Sequence, residues 1–183
     1  MRFGILGPLE VGVAGERVEV RGRRRRALLV RLLVSANEQV PAQRLLADVW
    51  DDAAHDRVMS TLASHVQMLR EVIGRDRILW RDGGYVLRIG AGELDLFEFE
   101  ADVAGGHRAI DRGDVSFGAE SLGRALATWR GPALSDVSGS GWGDREAARL
   151  EEAPADRARV AVGGPVGPRS ASRRRRHCRG GRR

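Results

Sequence analysis

The chain has 183 residues, enough for one medium domain or two small ones with a real core. Its formal charge is +6 and every basic side chain is arginine, yet residues 163–183 alone hold 8 arginines and no acid. Residues 1–162 are therefore net −2, which excludes a whole-molecule field as the basis for binding a polyanion and leaves only a local patch. Within them, residues 1–92 carry +4 and residues 93–162 carry −6, so that patch is expected in the first half. A single cysteine, Cys178, excludes an internal disulfide and a zinc site built from several cysteines. No apolar run reaches 18 residues and charges interrupt Met1–Val20, so neither a membrane span nor a signal peptide is expected, and the cytoplasm is the expected location.

Phe3–Gly7, Leu9–Val13 and Arg17–Val20 read as three short strands of an antiparallel sheet, with a bend at Pro8 and a turn at Ala14-Gly15-Glu16. From about Arg24 to Ala36 the pattern turns helical, with Leu29, Leu32, Leu33 and Ala36 on one stripe. Val40-Pro41 interrupts, and Pro41 suits the start of a second helix whose apolar face is Leu45, Leu46, Val49 and Trp50. Asp51–His55 reads as a loop. A third helix starts near Asp56 as N-cap, buries Leu62, Val66, Leu69 and Ile73, and stops at Gly74. Ile78–Trp80 and Tyr85–Ile89 then pair as a hairpin around Arg81-Asp82-Gly83-Gly84.

Past Gly92 only helical patterns remain. Leu96, Phe97, Phe99 and Val103 begin a helix to about Arg112, and Phe117, Leu122, Ala125, Leu126 and Trp129 give the apolar face of the next. This pair resembles one tetratricopeptide-like repeat, a unit that needs stacked neighbours to cover its core. Another helix starts near Asp144 and is expected to fail at Pro154. The Gly/Pro/Ser/Arg-rich remainder is expected to be a disordered tail.

A helix followed by a glycine-tipped hairpin is the reading end of a winged helix. The outward face of the third helix then supplies Ser60, Ser64 and Gln67, its flanks supply Met68 and Arg70, and the hairpin tip supplies Arg81, Gly83 and Gly84. Serine and glutamine can donate and accept at base edges, arginine can pair with guanine or phosphate, and methionine can touch a thymine methyl. A merely solvated helix face is the competing reading of the same residues. Glu71 opposes phosphates, Tyr85 and His65 read as packing residues, and Arg23–Arg26 and Arg173–Arg176 as solvated basic runs able to touch phosphates. Catalysis finds no support. His55, His65, His107 and His177 have no metal-ligand spacing, Gly83-Gly84 leads into a strand and forms no phosphate loop, and no cofactor, metal or catalytic group is expected.

These blocks together resemble the SARP family, the Streptomyces antibiotic regulatory proteins. The likeness covers residues 1 to about 152 and runs through Phe3–Val11, Arg26–Leu29, Val40–Leu45 with Val49-Trp50, Gly83–Tyr85, Leu94–Phe99, Trp129–Leu134 and Glu146–Glu152. It implies an α+β, OmpR-type winged helix-turn-helix over residues 1–92, with an N-terminal antiparallel sheet and a C-terminal hairpin wing. A truncated all-α bacterial transcriptional activation domain over 93–160 and the disordered tail over 161–183 would follow. It also implies an activator, not an enzyme, that binds double-stranded DNA at promoter direct repeats of secondary-metabolite genes, an arrangement that leaves room for a dimer on DNA. The loop bearing Asp51, Asp52 and Asp56 would face the sigma or alpha subunit of RNA polymerase. Where the family carries Ser-Arg-Leu-Arg-Arg, this chain has Gln67-Met68-Leu69-Arg70-Glu71, which predicts weak or altered specificity. A rival expectation is a protein-interaction fragment, from truncation or a frame change, with little specific DNA binding.

Overall fold

The computed structural model describes residues 1–50 and 55–162, the side chains of 55–58 and 153–162 aside. Strands β1 (Arg2–Gly4), β2 (Glu10–Val13) and β3 (Glu16–Arg17) form the expected antiparallel sheet in chain order. Phe3 pairs with Val11 and Gly12 with Arg17. The first strand is shorter than its apolar run predicts. Ile5 and Leu6 are fully buried, but their backbone groups bond to the helical half of the chain and not to the sheet.

Helix α1 (Arg23–Val34) buries Leu28, Leu29, Leu32 and Leu33, and is followed by β4 (Gln39–Pro41), α2 (Ala42–Trp50) and α3 (His55–Ile73). Hairpin strands β5 (Ile78–Arg81) and β6 (Gly84–Leu87) come next. The strand β4 is a correction: Val40-Pro41 is no mere interruption but the third strand of a sheet ordered β4-β6-β5. Proline is tolerated there because β4 is an edge, where a missing N–H interrupts no ladder. The α3 stripe is as predicted, with Leu62, Val66, Leu69 and Ile73 all buried. Among the described residues the helix already includes His55, which puts Asp56 inside it and not at the cap. At the far end Gly74 (φ 101°) donates its N–H to the Arg70 carbonyl at 3.0 Å.

The second half comprises α4 (Asp95–Asp111), α5 (Val115–Ala127), a single 3-10 turn at Ser135–Val137 and α6 (Gly141–Val162). Asp114 caps α5 by accepting from the Phe117 N–H at 3.1 Å. The faces of α4 and α5 meet through glycines: a Cβ on Gly118 would lie 2.4 Å from Ile110 Cγ1, and one on Gly106 2.9 Å from Leu122 Cγ. So close an approach narrows the buried strip of α5 to Gly118, Ser121, Leu122 and Ala125. Phe117 and Leu126, predicted on the apolar face, are instead about half exposed, and Trp129 lies beyond the helix. The expected stop at Pro154 is also corrected, because α6 continues to Val162. A proline inside a helix removes one backbone donor and favours a kink, which need not end the helix.

One hydrophobic core joins the two halves, from Phe3, Ile5 and Leu6 through Leu28–Leu33 to Leu94, Phe99 and Leu134. The buried Asp95 carboxylate accepts from the Ile5 and Leu6 N–H groups at 2.9 and 3.0 Å and from Arg130 Nη2 at 3.0 Å. Arg130 also donates Nη1 to the Pro8 carbonyl at 2.9 Å and its own N–H to the Leu6 carbonyl at 2.8 Å. Asp136 accepts from the Leu9 N–H at 2.6 Å and pairs with Arg26 at 3.0 Å. The N-terminal segment is thus held by groups about 90 to 130 residues away.

A second join links the hairpin base to α4. The Glu93 carboxylate accepts from both terminal nitrogens of Arg77 and from the Gly90 N–H. The Arg77 hydrogen bonds, helped by Gly90 and opposed by burial, hold the Glu93 carboxyl down at about 2 against an ordinary 4.5. A depressed carboxyl contributes stability above about pH 4.5, and that stability is lost as the pH falls towards about 2. Urea midpoints are expected to drop across that window, and Glu93→Gln should flatten this part of the profile while lowering stability near neutrality.

Candidate nucleic-acid interface

The buried stripe of α3 fixes which side chains face outward. Ser60, Ala63, Ser64, Gln67, Met68 and Glu71 are all exposed, Met68 to 38%. Ser64 Oγ donates to the Ser60 carbonyl at 2.9 Å, which leaves its lone pairs as acceptors. This row offers polar, small and one acidic group, with no exposed arginine over residues 59–73 of α3.

Arg70 is placed differently from the sequence expectation. Its Nε and Nη2 donate to the Ile78 carbonyl at 2.9 and 2.7 Å, and the residue is half-buried. The reason lies in strand geometry. Arg77 accepts from the Arg88 N–H, so the next carbonyl, that of Ile78, points away from β6 on an edge strand. Arg70 satisfies that carbonyl and fastens α3 to β5, so its Nε and Nη2 are already engaged within the protein.

The hairpin tip is a tight two-residue turn, with Asp82 at φ 43° and Gly83 at φ 79°. Arg81, Asp82 and Gly83 are exposed. The Gln39 side chain, from β4, donates Nε2 to the Arg81 and Asp82 carbonyls at 3.0 and 2.8 Å and braces the turn. Gly84 is corrected in role. It is buried, and a Cβ there would fall 2.4 Å from the Val40 carbonyl oxygen and 3.0 Å from Pro41 Cα. It sets the spacing of β6 against β4. Gly84→Ala should therefore destabilise the fold by about 1–3 kcal/mol, read as a lower urea midpoint with unchanged slope. Gly83→Ala strains only an exposed left-handed turn and should cost about 1 kcal/mol.

Packing behind α3 follows the sequence reading. Tyr85 is buried, and Trp80 meets its ring edge-on at 4.9 Å. His65 is half-buried against Trp50, ring centroids 5.4 Å apart; burial lowers its pKa, and Arg25 and Arg24 reinforce the shift. Those arginines bring the basic start of α1 within electrostatic reach of α3, and Arg23 and Arg24 are exposed. Helix α2 is braced by its buried Asp48, which accepts from Arg31 Nε at 2.7 Å and Arg44 Nε at 3.0 Å. The Arg31 guanidinium also lies 5.8 Å from the Trp142 ring of α6. Among the expected polymerase-facing residues, Asp51 and Asp52 lie outside the described residues, and Asp56 is in α3 with its side chain outside them. Residues 163–183, with Cys178 and Arg173–Arg176, also lie outside. Gln39, Asp48 and Trp80 were not among the sequence candidates. Gln39 and, through Arg31, Asp48 act on partners 17 to 43 residues distant, which no local pattern displays.

The described residues form two small sheets and six α-helices, and comparison with known proteins gives matches along most of them. Residues 94–162 match the bacterial transcriptional activator domain. Regulatory protein AfsR of Streptomyces griseus is 28% identical over 152 residues, 83% of this chain and 16% of AfsR. Transcriptional regulatory protein MoaR1 of Mycobacterium tuberculosis is 32% identical over 144 residues, 75% of this chain and 46% of MoaR1. The solved structure of Mycobacterium tuberculosis EmbR in complex with a low-affinity phosphopeptide aligns with a TM-score of 0.83 at 27% identity, over 88% of this chain and 44% of EmbR. The chain thus spans less than half the length of each of these relatives. With the activator-domain match in its second half and regulators of this type aligned along most of its length, the chain is similar to transcriptional regulators of the SARP type.

Proposed function

We propose that this chain is a sequence-specific DNA-binding transcriptional activator, its residues 1–92 acting as a winged helix on duplex DNA and its residues 93–160 as part of an activation domain. The observation that carries the reading is the outward row Ser60, Ser64, Gln67 and Met68 on α3, on a helix clamped by Arg70 to the strand that leads to Arg81 and Gly83. A helix of about 19 residues fits the major groove, and a braced turn beside it fits the neighbouring backbone. Exposed Arg23, Arg24 and Arg81 supply the local positive charge. The site would lie in direct repeats upstream of secondary-metabolite genes, and the loop with Asp51, Asp52 and Asp56 would meet the sigma or alpha subunit of RNA polymerase. Among the described residues no helix is long and apolar enough to cross a membrane, and the proposed place of action is the cytoplasm.

Selection from a random duplex pool with the full chain tests the reading. A defined motif is expected to emerge, and Gln67→Ala should relax one base position in it, at a cost of about 1–3 kcal/mol on the preferred base. An unenriched pool would overturn the specific reading. The exposed Val115, Phe117 and Leu126 of α5 favour a second reading, a protein-contact surface in the helical half. That contact would have little salt dependence, whereas DNA binding releases counterions.

A further inference from the structure

We infer that Trp80 is a backbone contact for duplex DNA, its indole packed on a deoxyribose beside the phosphate that Arg81 engages. The inference rests on the DNA-binding reading and deepens it. Trp50 and Trp142 are 5% and 7% exposed and Trp129 is partly buried, whereas Trp80 is 51% exposed. Single exposed apolar side chains are ordinary, but this one is held in place. Trp80 stands directly across from Tyr85 in the hairpin register, and the rings meet at 4.9 Å and 73°. Tyr85 is itself 7% exposed, so the indole rests on a fixed footing. Two residues earlier, the Ile78 carbonyl is held by Arg70 of α3, which fixes the strand to the proposed reading helix.

An ordered ring loses little conformational freedom on binding. Its surroundings select the partner. Toward the turn its exposed neighbours are Arg81, Asp82 and Gly83, two charged residues and a glycine, which favours a charged partner over an apolar one. One exposed apolar ring with an N–H at its edge and, at the next residue of the strand, one exposed guanidinium match a backbone that alternates apolar sugar and anionic phosphate.

The test uses the full chain and a mixed-sequence duplex, since a backbone contact acts on every sequence. Trp80→Ala is expected to weaken binding roughly tenfold without changing the salt dependence, because an indole releases no counterion. Arg81→Ala should instead lower the salt slope by about one. Trp80→Phe keeps the packing on Tyr85 and should retain most of the affinity, which guards against misfolding of the alanine variant. Duplex should also protect the parent's tryptophan emission from acrylamide, and this protection should be lost in Trp80→Phe. If the parent binds duplex while a folded Trp80→Ala binds equally well, the inference fails and the DNA reading stands. If the parent binds no duplex, both fail. Shielding of Trp80 that rises with protein concentration in the absence of DNA would mark a contact between copies of the chain and overturn the inference.

Discussion

Replacing Asp95 with alanine is expected to destabilise the chain by about 3–5 kcal/mol, the range for removing one partner from a buried charged pair. The carboxylate side chain is 6% exposed and satisfies the Ile5 N–H, the Leu6 N–H and Arg130 Nη2 at once. Alanine would leave two buried backbone donors and part of a guanidinium without an acceptor. Arg130 would keep Glu10, 3.1 Å from its Nη1, and the Pro8 carbonyl, so part of the join would survive. Asp95→Asn retains one carbonyl oxygen and should lose less. Urea unfolding checks both variants, and a loss below about 1 kcal/mol for Asp95→Ala would mean that the two halves are not held this way.

Arg70→Ala is expected to have the larger effect on binding. It removes two charge-assisted hydrogen bonds to the outward carbonyl of an edge strand, worth about 1.5–3 kcal/mol. Without the clamp the wing loses its fixed angle to α3, so duplex affinity should fall by a similar factor on every sequence. A base-reading arginine would behave otherwise, relaxing one position and leaving stability alone. Arg70→Lys keeps the charge but not the two-pronged fork and should not restore the parent. Urea midpoints and a binding-site profile, measured together, separate the outcomes. One relaxed base with unchanged stability would return Arg70 to the reading face.

The elements that could be read from the sequence are those whose burial repeats along the chain. Leu62, Val66, Leu69 and Ile73 announce α3 because every third or fourth residue meets the same core. The Asp82-Gly83 turn and the Gly74 stop are equally local. What could not be read depends on partners far away in sequence. Val40-Pro41 became a strand only because β6 lies beside it, and Gly84 is glycine because β4 passes so close. Arg70 lies on the flank of that face by helical position, and its long side chain reaches the Ile78 carbonyl on the neighbouring strand. Phe117 and Leu126 fit an apolar stripe, yet glycine-mediated packing of α5 on α4 leaves them outside it. The candidate reading row was legible as a face, while the struts that hold it were not.

Gln67, Met68 and Glu71 in that row leave it poor in arginine, which sets the affinity expected of it. The most direct measurement is the equilibrium binding of the full chain to its selected duplex and to a scrambled duplex of equal composition, at several salt concentrations. The account predicts a preference on the order of 10³, the low end for specific readers, that persists as salt weakens both affinities. Equal affinity for the two duplexes at every salt concentration would contradict it.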